Sequence, residues 1–170
     1  MLPSLRILVA TMMSSLVFIG FALSFVLSGD DLLAPPGVGV LAGQLVAALA
    51  SHALIEAVGY RTAALAPGTP SYTAVARARS AVQTGTFLRF ALSEWIAIAS
   101  LAMAFVVAEG GFVTYCFGAV LTLLLVGFHA YPWIRPLAKT RTSLERDGAP
   151  SFFHEAVGLP APLPGAVQEL

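Results

Sequence analysis

"TGTFLRFALSEWIAIASLAMAFVV", residues 84–107, reads as a helix that crosses a membrane while carrying an arginine and a glutamate into it. Apart from Arg89 and Glu94 it has no charge, and at about 1.5 Å per residue it is long enough for a hydrocarbon core of about 30 Å. Either the span is misread, or the two charges must be explained by what surrounds them.

Three neighbouring stretches support the span. Residues 7–28, "ILVATMMSSLVFIGFALSFVLS", carry no charge; they exceed the usual signal-peptide core and lack a small-residue cleavage site, so a retained span is expected. Residues 38–59, "VGVLAGQLVAALASHALIEAVG", form a second span, with Ser51, His52 and Glu56 toward its C-terminal end. The third covers 86–107 and the fourth 112–134, "FVTYCFGAVLTLLLVGFHAYPWI", whose Tyr131 and Trp133 suit a membrane interface.

The connections fit. "GDDLLAPPG" (29–37) is a turn that a helix does not cross, and "AEGG" (108–111) is another. In the 60–86 connection, "APGTPSY" is a break and Ser71 a candidate cap. From there a helix with Val75, Ala78 and Val82 on one face runs into span three, with Gly85 as a possible bend. The expected organisation is a bundle over residues 1–136 and a polar, Pro-rich tail over 137–170, with "LPAPLPG" poorly ordered and Phe152 and Phe153 either docked at the interface or disordered.

Composition points the same way. Of 170 residues 58% are hydrophobic and 11% charged, with mean hydropathy +0.84, whereas soluble domains carry about 25% charge. Nine basic and nine acidic residues cancel, which removes the case for charge-steered nucleic-acid binding. The single Cys116 excludes an internal disulfide, and no metal or cofactor motif is present.

The four spans place every Lys and Arg on one side: Arg6, then Arg61 to Arg89, then Arg135 to Arg146. The opposite loops hold Asp30, Asp31 and Glu109. By the positive-inside rule both termini face the cytoplasm, and the fold is an all-α, four-helix transmembrane bundle, multi-pass in a bacterial cytoplasmic membrane.

Depth can then be counted along each span. Arg89 and Glu56 fall roughly 4 to 5 Å from the basic-side interface, and His52, Glu94, His129, Ser14 and Ser15 roughly 7 to 12 Å from it. A charge facing lipid at depth costs at least about 2.5 to 3.5 kcal/mol, so these groups are expected to turn inward and meet. Arg89 and Glu94 are five residues apart and do not share a face; His52 and Glu56, four apart, do. The expected pairs are Glu56 with Arg89 and His52 with Glu94, completed by Ser14, Ser15, Ser93 or His129.

"FLRFALSEWIAIASLAMAFVV" (87–107) resembles the ion-binding second helix of ATP synthase c subunits, a carboxylate in an ALxE setting followed by an Ile/Leu/Ala run, after a span with small residues. The resemblance covers spans two and three and implies that Glu94 matches the proton-binding carboxylate. The chain lacks that family's Arg-Gln-Pro loop, its connection is longer, and Arg89, His52 and Glu56 have no counterpart there; ring formation is not carried over. The four-span pattern, with its Ala, Val and Arg usage and single lysine, also resembles uncharacterised membrane proteins of high-GC bacteria, which implies no activity.

Three functions fit these residues. The first is a non-enzymatic accessory or partner-binding membrane subunit, needing no cofactor, with lipid, other membrane subunits or a second copy through the Gly37/Gly39/Gly43 stripe as partners. The second is proton or ion handling through Glu94. The third is a metal-binding membrane enzyme using His52, Glu56, Glu94 and His129.

Overall fold

In a computed structural model that describes residues 1–27 and 32–160, the chain is helical, with no strand among the described residues. Four stretches are long and apolar enough to cross a membrane: α1 (Leu2–Val26), α2 (Val38–Val58), α3 (Ser71–Ala104) and α4 (Gly111–Leu125), the last extended by a π-helical turn (Val126–Ala130). Two short helices follow, α5 (Ile134–Leu144) and α6 (Phe153–Val157). Of the sequence expectations, the turn at Asp30 and Asp31 and most of "LPAPLPG" lie outside the described residues.

α3 is the axis of the molecule. Its small or slender residues at helical spacing, Thr86, Ser93, Ala97, Ser100 and Ala104, are buried and let α2 and α4 pack closely against it. At the tightest crossing a Cβ on Gly118 of α4 would meet Ser100 Oγ at 1.9 Å, so only glycine fits. α1 packs mainly on α4, where Tyr115 Oη donates to Leu16 O (2.7 Å), and leaves Val17, Phe18 and Phe21 exposed as a lipid face should be.

One detail departs from expectation, the cap of α3. α3 begins with Pro70 in the capping position and Ser71 as its first helical residue, with no side-chain cap, and it runs unbroken through Gly85. The third span and the preceding soluble-looking stretch are therefore one helix of 34 residues.

The first half of α3 extends beyond the end of α2 and organises a second apolar core. Leu2 and Leu5 of α1, Leu65, Val75 and Val82, Leu137 and Leu144 of α5, and Phe153 and Val157 of α6 are buried together. Two hydrogen bonds fix its edges, one between backbones, Leu65 N to Leu144 O (2.9 Å), and one from a side chain, Arg79 Nε to Ala156 O (3.1 Å). Residues 134–157 thus pack against the bundle, with Phe153 buried and Phe152 exposed. Because Leu2 and Phe153 share this core, both described chain ends lie at one end of the bundle, the end that also carries the basic residues.

Candidate functional site

Of the polar groups expected to meet, His52, Glu56 and His129 come together, with partners other than those expected. Three local features bring them together at the basic end. α2 ends at Val58, which carries Tyr60 round the helix terminus into the interior. The π turn closes on Tyr131 N to Val126 O (2.8 Å), and Pro132, which cannot donate and forces Tyr131 into extended backbone, stops the helix there. The wider π turn sets the angle of His129, which is fully buried. α5 then starts at Ile134 and presents Arg135 and Lys139, one turn apart, on one face.

Glu56 is the hub. Arg135 Nη2 donates to its Oε1 (2.5 Å) and Lys139 Nζ to its Oε2. Tyr60 Oη lies 2.9 Å from His129 Nδ1, and His129 Nε2 lies 2.9 Å from His52 Nδ1. Arg135 Nη1 donates to Tyr60 Oη (3.4 Å), which joins Arg135, Tyr60, His129 and His52 in one hydrogen-bonded chain. Lys139 and Arg89 each sit 4.7 Å from the centre of the Tyr60 ring. Burial pushes the Tyr60 phenol above its ordinary value, against the pull of Arg89 and Arg135.

Arg89 does not pair with Glu56. It is 2% exposed and has neutral partners: Nη1 donates to Gly59 O (3.0 Å) at the C-terminus of α2, where the helix dipole favours a cation, and Nη2 to Thr86 Oγ1 (3.4 Å). Its Nε is buried without a hydrogen bond. A Cβ on Gly85 would lie 2.9 Å from Nη1, so the glycine makes room for the guanidinium.

Nor does His52 pair with Glu94. Glu94 is half-buried on α3, beside the exposed Phe87, Ala91 and Ile98, and makes no hydrogen bond or ion pair among the described residues. Ser14 and Ser15 are exposed on α1 and donate to their own helix, at Ala10 O (2.9 Å) and Met12 O (2.7 Å). Ser93 Oγ likewise returns to Arg89 O (2.8 Å). Depth counting places residues in layers but carries no information on azimuth, and the bundle turns these groups away from the cluster.

A second polar layer lies toward the acidic end and is uncharged. Gln44 Nε2 donates to Ser100 Oγ (2.7 Å) and Thr114 O (2.9 Å), while Gln44 Oε1 is buried without a partner. Gly37, Gly39 and Gly43 face open space, so within the described chain no helix covers the stripe.

Ligand-type atoms of His52, Glu56 and His129 lie within 4.8 Å of one another, the beginning of a metal-binding set. The surroundings oppose it: both Glu56 oxygens hold cations, and both His129 nitrogens are engaged in the hydrogen-bonded chain. A metal ion would have to displace Arg135 and Lys139. Sequence reading missed Tyr60, Arg135 and Lys139 as members of the site. The one available signal was the basic i,i+4 pair following Pro132, at the same depth as Glu56.

Comparison with protein-family models, curated proteins and solved structures finds no match to this chain.

Proposed function

We propose that this chain is a non-enzymatic, partner-binding subunit of a membrane assembly, with its basic end in the cytoplasm of a bacterium and the Glu94 face of α3 docked against a helix of another subunit. The observation that carries this reading is Glu94 itself: a half-buried carboxylate near mid-span with no partner among the described residues, bordered by exposed Phe87, Ala91 and Ile98. Facing lipid it costs about 2.5 to 3.5 kcal/mol or more, and a partner helix offering a hydrogen-bond donor or a basic side chain at the same depth removes that cost. The cytoplasmic assignment rests on the nine basic residues at one end.

Proton or ion handling through Glu94 has less support. The hydrogen-bonded chain from Tyr60 ends at His52 and does not extend to Glu94. The reading is tested by mild-detergent extraction and native mass measurement of the full chain. Wild type is expected in a complex above its own mass and Glu94→Leu as a monomer. A wild-type monomer under every mild extraction contradicts the reading.

A further inference from the structure

The nine basic side chains differ in what they hold. Arg135 and Lys139 pair with Glu56, Arg141 with Glu145 and Arg146 with Asp147, while Arg6 and Arg79 donate to backbone carbonyls. Of the five without a carboxylate, the exposed Arg61 and Arg77 have guanidinium groups that make no hydrogen bond or ion pair among the described residues, while the buried Arg89 donates to Gly59 O and Thr86 Oγ1.

Arg61 and Arg77 belong to one place. Between the segment leaving α2 and the flank of α3 lies a groove of about 440 Å³ lined by Arg61, Arg77, Ser80, Thr84, Gly85 and Leu88 among others. Arg89 lies buried against Gly85 and does not line the groove. The groove straddles the level where α2 ends and α3 becomes apolar: one part offers two guanidinium groups and two hydroxyls, and the other is bounded by the exposed Leu88.

We infer that this groove binds the phosphate headgroup of an anionic phospholipid, held by Arg61 and Arg77 with Ser80 and Thr84 as donors, its acyl chains running along Leu88. Charge complementarity favours this occupant, since guanidinium forks match phosphate oxygens and the local cations have no acid to neutralise them. The polar-to-apolar gradient along the groove is that of a lipid at the bilayer surface. The inference rests on insertion of the helices into a membrane and is independent of what docks at Glu94.

The test is native mass spectrometry of the full chain released from nanodiscs of phosphatidylcholine with or without phosphatidylglycerol. At about 1 kcal/mol per basic residue, the Arg61→Gln/Arg77→Gln double variant is expected to retain phosphatidylglycerol more than about tenfold less than wild type. Arg146→Gln, which removes a charge paired outside the groove, should retain it as wild type does. Equal retention by the double variant, or an equal loss in Arg146→Gln, overturns the proposal. Displacement of the lipid by inorganic phosphate in detergent assigns the groove to free phosphate and overturns it as well.

Discussion

The two polar layers of this bundle were built by opposite means. At the basic end, every side chain of the Glu56 cluster except the Arg89 Nε finds partners, and it finds them because α5, from a distant part of the sequence, closes over it. Toward the acidic end the helices meet through the neutral Gln44–Ser100 bond and leave Gln44 Oε1 without a partner, and between the two layers Glu94, on the outer face of α3, makes no hydrogen bond or ion pair among the described residues. The difference teaches where to look for function: a layer that closes on itself supports the fold, and a layer that stays open asks for something outside the chain.

If the basic end is a folded core rather than a loose tail, breaking it should have the largest effect. Phe153→Ala is expected to cost about 3 kcal/mol or more and to free α6 from α3, seen as a lower thermal midpoint in detergent and faster amide exchange over residues 134–157. An unchanged exchange pattern there would mean that α5 and α6 contribute nothing to that core.

Gly118→Ala probes the crossing of α3 and α4. The added Cβ would overlap both Oγ and Cβ of Ser100, so a loss of about 1 to 3 kcal/mol is expected, and the double variant Gly118→Ala/Ser100→Gly should recover part of it. Recovery measured by thermal unfolding would show that steric fit, more than the Gln44–Ser100 hydrogen bond, sets this crossing.

Glu56→Gln should matter less. The ion pairs are partly exposed, so about 1 kcal/mol is expected, shrinking as salt is added. A larger, salt-insensitive loss would mean that the cluster is more deeply shielded than its geometry indicates.

The smallest effect is a pH dependence at Glu145. Burial raises its carboxyl, but the Ser151 hydroxyl and amide and the Arg141 guanidinium outweigh that and hold it below the ordinary value of 4.5. The native state therefore binds this proton less readily than the unfolded chain. Its contribution is full above the ordinary carboxylate range and fades as pH falls below 4.5 through the lowered native value. Glu145→Gln should be less stable than wild type near neutral pH and converge with it in acid, as read by thermal unfolding across pH.

The four spans and the gathering of basic residues at one end were legible in the sequence because lipid imposes length and composition on single helices. The cluster was legible in part: His52, Glu56 and His129 come from a depth count that holds whatever the packing. Its partners were not, because Arg135 and Lys139 approach Glu56 only after Pro132 ends the π turn and redirects the chain, and Tyr60 enters only after α2 has ended. Pairing Arg89 with Glu56 failed for a related reason. A helix C-terminus at Gly59 satisfies a guanidinium as well as a carboxylate does, and one-dimensional reading does not show it.

The central claim is that the Glu94 face of α3 is covered by another subunit. A photo-crosslinking residue placed at Ile98, one turn from Glu94, and another at Phe18 on the lipid face of α1 test it in native membranes. The account predicts a protein adduct from position 98, lost in a Glu94→Leu background, and lipid adducts alone from position 18. Lipid adducts alone from both positions would contradict it.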